Sequence, residues 1–281
     1  MGDDVSSVAA VPCLRPMACD RLALSTALAT DELMAFTAFA RGCALSGARV
    51  IEVGGAVPPE VVRLAGPASW TAVDPLVNPA AAGDGYVPVP FDFNRCGLPN
   101  ASADLVFSCN AFHHMSPLDD VLGTIRRILV PGGVAWLHFG PIWSGPDGHH
   151  LDVTWRGGHY TFWGRHLLPH HAHLALEPEE LGALLVTRLE FGLVQAVVHQ
   201  VYADPRLNRV GFEGYLEAFA RSGLTLCRLE TSREVDYALD IPNYDGLAES
   251  RRLIADRVAK LGAKRDLNLR EVLAVLRRPG Q

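Results

Sequence analysis

Short apolar runs alternate with stretches of helical periodicity along most of this 281-residue chain. Runs at 49–53, 70–74, 86–91, 104–109 and 133–139 have the length and composition of buried strands. Between and before them, apolar positions recur three and four apart, which predicts helices at 22–43, 58–65 and 117–130. Pro58 and Pro59 are tolerated in a first helical turn, and Ser116-Pro117 is a helix-start signal. The stretch 140–210 is too long for a plain connection, and Glu177-Pro178-Glu179-Glu180 opens a predicted helix to about Val198. Beyond it come a helix at 211–222, a stop at Gly223, a strand at 224–231, a helix at 247–261 and a last strand from Leu269 to Leu276. The pattern divides the chain into an arm and covering helix (1–44), a core (45–140), an insertion (141–210) and a completion of the core (211–281).

Composition narrows the function classes. Hydrophobic residues make up 49% and charged residues 20%, as expected of a globular α/β domain. The net charge of −6 argues against a nucleic-acid surface, which needs a basic patch. No apolar run is long enough to span a bilayer, so no membrane partner is expected. Gly2 and Ser6 fit a myristoylation pattern, but no basic cluster stands nearby to add a second anchor. Six cysteines lie scattered without a CxxC pair, which predicts reduced thiols and a cytoplasmic setting.

The first strand ends Glu52-Val53-Gly54-Gly55, and the second ends at Asp74. A strand, a glycine turn and an acid closing the next strand are the usual means of holding a nucleoside at the edge of a parallel sheet. The series continues with Asp92-Phe93-Asn94, Leu98-Pro99-Asn100, Asp104-Leu105-Val106-Phe107, Asn110 to His114 and Pro131-Gly132-Gly133. In this order the motifs resemble the class I S-adenosylmethionine-dependent methyltransferases, of the small-molecule type. The resemblance covers 45–140 well and the C-terminal strands more loosely.

The resemblance implies a Rossmann-like, seven-stranded, mostly parallel sheet with helices on both faces and a lid insertion after strand five. It implies S-adenosyl-L-methionine as cofactor. Glu52 would support the methionine end, Gly54 and Gly55 would form the turn, and Asp74 would take the ribose. Asp92 would accept from the adenine amino group, Phe93 would pack on the adenine, and Asn110 would hold the methionine portion. Ala56 and Pro58 stand where further glycines would continue, and Pro58 removes a backbone donor.

Ten of the 11 histidines fall between 113 and 173. An imidazole titrates near neutrality and suits a general base, and His114, His149 and His150 are the candidates. His113, Trp143, Tyr160 and Trp163 are the expected acceptor-binding residues. His149, His150 and Asp147 have the donor types of a metal site, but no HExxH-like signature accompanies them and Pro169 interrupts a helix linking His166 to His170. No metal is expected. The expected reaction is methyl transfer to an oxygen, or a nitrogen, of a small metabolite, with a homodimer allowed. A cyclase or rearrangement enzyme on the same fold, or a non-catalytic partner subunit, are the alternatives.

Overall fold

A computed structural model describes residues 32–55, 57–163, 167–233 and 248–280. The arm at 1–19 and the first part of the 22–43 helix lie outside the described residues. Helix α1 (Glu32–Gly42) leads into β1 (Arg49–Val53), α2 (Pro59–Ala65), β2 (Ser69–Val73) and β3 (Tyr86–Val89). The core continues through β4 (Ala103–Cys109), α3 (Leu118–Ile128) and β5 (Leu129–Phe139). Next come the hairpin β6 (Asp152–Trp155) and β7 (Gly158–Thr161), and helices α4 (Ala172–Ala175), α5 (Pro178–Val186) and α6 (Phe191–Tyr202). Helix α7 (Phe212–Arg221), β8 (Thr225–Arg233), α8 (Ala248–Gly262) and β9 (Leu269–Arg277) complete the chain.

Seven strands form one sheet in the order β3-β2-β1-β4-β5-β9-β8. All neighbours are parallel except β9, which runs antiparallel to both β5 and β8. Both faces are covered, so the central strands read as continuous apolar runs rather than alternating ones. Ile51, Val106 and Leu137 pack on α3 and α7, while their neighbours Val50, Leu105 and Trp136 pack under α1. Phe39 of α1 stacks on Phe107 with ring centroids 4.7 Å apart, and Phe36 meets Trp70 edge-on at 5.7 Å. At the far end, Arg49 joins β1 to Asp104 of β4 through two side-chain bonds (2.9 and 3.1 Å) and its own backbone N–H (2.8 Å).

The structure departs from the sequence reading in three places. Strand β5 begins at Leu129 and runs through Pro131-Gly132-Gly133, because Arg278 beyond β9 pairs with Gly132 and Gly133 and its guanidinium binds the Leu129 carbonyl. The single helix expected to reach Val198 is two: α5 ends where Thr187 turns its hydroxyl onto the Leu184 carbonyl (3.0 Å), and α6 restarts after Glu190. That break lets the two helices pack on each other around Leu181, Leu185, Val197 and Val201. The β6–β7 hairpin was not anticipated, although its Arg156-Gly157 turn, with φ of +47° and +81°, is a common hairpin device.

The inserted elements share a core of their own, joined by Ile254 of α8. Arg257 of α8 clamps Glu180 of α5 (2.6 and 2.8 Å). No helix among the described residues is long and apolar enough to cross a membrane. The described cysteines form no disulfide.

Candidate active site

A cleft of about 1580 Å³ opens where β1, β2, β4 and β5 end. Ligands in open α/β sheets bind at these carboxyl ends. Gly54, Gly55, Asp74, Asp92, Phe93 and Asn110 line one part of it. His113, His114, His149, His150, Phe162 and Trp163 line another. The cleft therefore joins residues from the sheet's turns to residues from the insertion.

The glycine turn is shaped by close packing. Gly54 has φ of +79°, and a Cβ there would lie 2.1 Å from the Cβ of Ala111 in the turn after β4. Glu52 is buried behind this turn: its carboxylate accepts from the Val57 N–H (3.0 Å) and from the Trp70 indole N–H (2.7 Å). It braces the loop from within the fold, while the glycines themselves face the cleft.

Two carboxylates stand on the rim. Asp74 follows β2, and one of its oxygens accepts from the Leu76 N–H (2.7 Å), which fixes the side chain in a tight turn. Asp92 caps a short turn by accepting from the Asn94 N–H (2.8 Å) and is exposed. Phe93 beside it is buried in the core and also lines the cleft. Asn110 adopts φ of +51° and donates its backbone N–H to the His138 carbonyl (2.8 Å), which ties the β4 exit to β5.

The histidines divide into two groups. His113, His114 and His150 meet in the cleft, with ring centroids of His113 and His150 stacked 4.2 Å apart and those of His113 and His114 4.1 Å apart. His114 donates from Nδ1 to the Arg206 carbonyl (2.8 Å), and His150 donates from Nε2 to the Pro141 carbonyl (2.5 Å). A carbonyl can only accept, so each bond sets the tautomer and leaves the other ring nitrogen with its lone pair. In His149 the opposite holds: Nδ1 accepts from the Leu151 N–H (3.0 Å), and Nε2 stands 3.9 Å from Asp147. The second group surrounds buried Asp147, which accepts from His170 (2.8 Å); His171 and His173 bond the carbonyls of Leu267 and Trp143.

Burial favours the neutral form of His113, His114 and His150. It drives His113 well below the usual imidazole value, helped by His150 and His114, and takes His150 down to about 3. His114 is accessible from the cleft but walled by protein, and burial lowers it despite the Arg206 carbonyl, which favours the charged ring. Burial also depresses His138 and His173. An imidazole with a depressed folded pKa costs no stability above its unfolded value of roughly 6.5. Below that pH the unfolded chain takes up protons that the fold refuses. The melting temperature is therefore expected to fall steadily from pH 7 to pH 5, and a flat profile over that range would contradict the buried, neutral assignment.

Trp143 and Tyr160 do not stand among the cleft residues. Trp143 packs edge-on against His173 (4.6 Å) under the Arg209 guanidinium (5.7 Å). Tyr160 lines a separate shallow depression with Trp155. Two residues that the sequence did not single out hold the site together. The Asn208 amide donates to the carbonyls of Phe112 (3.1 Å) and Met115 (3.0 Å) and accepts from the Val210 N–H and the Tyr215 hydroxyl. Gln200 donates to the His150 carbonyl and accepts from the Asp152 N–H, both at 3.0 Å. Both lie at the end of the insertion, far in sequence from the turns they hold, and no local pattern marks them.

A family model described as a methyltransferase domain matches residues 54–137. That segment carries the glycine turn, both rim carboxylates and the first two cleft histidines. With the sheet order, the match supports a class I S-adenosylmethionine-dependent methyltransferase fold for the core around these residues. No curated protein matches the chain significantly. Solved structures similar to it include an S-adenosylmethionine-dependent methyltransferase from Mesorhizobium loti, at 19% identity over 84% of this chain and 93% of that one, with a TM-score of 0.47. Another is phosphoethanolamine N-methyltransferase 2 of Haemonchus contortus with S-adenosyl-L-methionine, at 15% identity over 89% of this chain and 53% of that one, TM-score 0.47. The cyclase SpnF is similar at 15% identity over 84% of this chain and 76% of that one, TM-score 0.44.

Proposed function

We propose that the chain transfers a methyl group from S-adenosylmethionine to an oxygen, or a nitrogen, of a small molecule held in the cleft. The observation that carries this reading is that one cleft is lined both by the glycine turn and the two rim carboxylates and by the histidines. The donor set fits the cofactor. Asp74 offers a carboxylate for the paired ribose hydroxyls, Asp92 an acceptor for the adenine amino group, and Gly54 and Gly55 an approach to the backbone. When bound, the cofactor supplies a methyl group already activated by its sulfonium, so that alignment supplies most of the rate, worth roughly 7–11 kcal/mol.

Removal of the acceptor's proton falls to His114. Its Nε2 lone pair is left by the Nδ1 bond to the Arg206 carbonyl, and that carbonyl steadies the ring once it is protonated. His150 is too strongly depressed to hold a proton near neutrality, and the His149 lone pair is engaged by Leu151. Phe162 and Trp163 give the acceptor end aromatic walls. The insertion, on this reading, is the lid over the acceptor, and the setting is cytoplasmic.

Asp74→Ala tests the cofactor half of the proposal. Affinity for S-adenosylhomocysteine is expected to fall more than about tenfold, the loss of a charge-assisted pair of hydrogen bonds. An unchanged titration removes Asp74 from the site.

A further inference from the structure

We propose that His113, His114 and His150 form a binding site for one divalent transition-metal ion of the zinc class at the acceptor end of the cleft. Each offers a ring nitrogen, and these atoms lie within 4.8 Å of one another, a grouping that brings together the turn after β4 and the loop after β5. Sequence spacing does not reveal it. His149 and Asp147 stay on their own side at 3.9 Å, while His150 turns away from them to stack on His113.

The tautomers are those a metal needs. A ligating imidazole characteristically donates its other N–H to a carbonyl, which orients the ring and raises its basicity. The Arg206 carbonyl does this for Nδ1 of His114 and the Pro141 carbonyl for Nε2 of His150. The lone pairs on His114 Nε2 and His150 Nδ1 are left for an ion. His113 is buried, and its Nδ1 has no hydrogen-bond partner. Each neutral imidazole keeps one lone pair, and the N–H groups of His114 and His150 are already committed to backbone carbonyls. A cation can accept all three lone pairs at once.

The backbone is also committed to this arrangement. His150 sits at φ of +46°, unusual for a residue with a side chain, and is held there by its N–H on the Asp147 carbonyl and by Gln200 on its own carbonyl. Zinc–imidazole bonds of roughly 2.0–2.1 Å would draw the nitrogens to about 3.4 Å apart, a modest closing of the rings. Three imidazole ligands suit zinc, copper, iron or nickel rather than magnesium or calcium. They leave a coordination position open to the cleft, where an acceptor hydroxyl or amine would lose its proton more readily. In the loaded protein His114 is then a ligand, and its role as proton acceptor belongs to the metal-free form.

The site stands on the histidines alone and is read without S-adenosylmethionine. Chelator-stripped protein is titrated calorimetrically with Zn²⁺ and, in parallel, followed by visible absorption with Co²⁺. One ion per chain is expected, with Kd at or below about 1 µM and the strong visible bands of low-coordinate cobalt. His114→Gln and His150→Phe are each expected to weaken binding at least about 100-fold and to abolish the bands. Melting of the metal-free variants shows that they are folded; His114→Gln, at an accessible position, carries the test should His150→Phe not fold. Absence of stoichiometric binding by the folded wild-type protein overturns the proposal. So does binding that survives His114→Gln, since the ion would then lie elsewhere.

Discussion

Gly54→Ala is expected to lower the melting temperature by about 10 °C and to weaken S-adenosylhomocysteine binding more than tenfold. Two costs combine. Alanine at φ of +79° carries roughly 1–2 kcal/mol of backbone strain. The new methyl would also sit 2.1 Å from the Ala111 Cβ, an overlap that forces apart the turns after β1 and β4. Overpacking of this kind costs a further 1–3 kcal/mol or so. Both turns line the cleft, so the displacement reaches the cleft directly. Wild-type stability and affinity in this variant would mean that the two turns are not packed as described.

In chelator-treated, metal-free protein, His114→Ala is expected to slow methyl transfer by about 10²–10⁴-fold while cofactor affinity holds, the span typical of a lost general base. The pH dependence gives the sign. Burial holds the folded pKa of His114 below the ordinary 6.5, so the ring is neutral and competent at pH 7. The rate should fall only as pH drops below about 6.5, and the variant should lose that limb. Turnover unchanged in His114→Ala would leave alignment as the whole mechanism.

The elements nearest the glycine turn were legible because their signals are local. Strand β1 occupies the same five residues that its apolar run marked, and the turn after it follows from Gly54 and Gly55. Asp74 and Asn110 reach the cleft because each directly follows a strand, and Asp92 lines it from three residues past β3; strand ends are where an α/β sheet presents its side chains. The stretch 141–210 was legible as an excess of chain and little more. Its apolar residues serve its own core, so Trp143 and Tyr160 looked like pocket residues yet pack away from the cleft. Residue type alone does not separate an aromatic wall from an aromatic core. Asn208 and Gln200 were missed because their partners, Phe112, Met115 and His150, are brought to them by tertiary folding. The grouping of His150 with His113 and His114 has the same origin: neighbouring His149 and His150 diverge because of one left-handed residue.

The measurement that bears most directly on the account is calorimetric titration of the purified protein with S-adenosylmethionine and with S-adenosylhomocysteine, each with and without chelator. The account predicts one site per chain for both ligands, with micromolar affinity that chelator leaves unchanged, because the cofactor contacts proposed above are Asp74, Asp92 and the glycine turn, not the histidines. Failure of the folded protein to bind either ligand would contradict the methyl-transfer reading and leave the histidine-lined end of the cleft as the seat of a different chemistry.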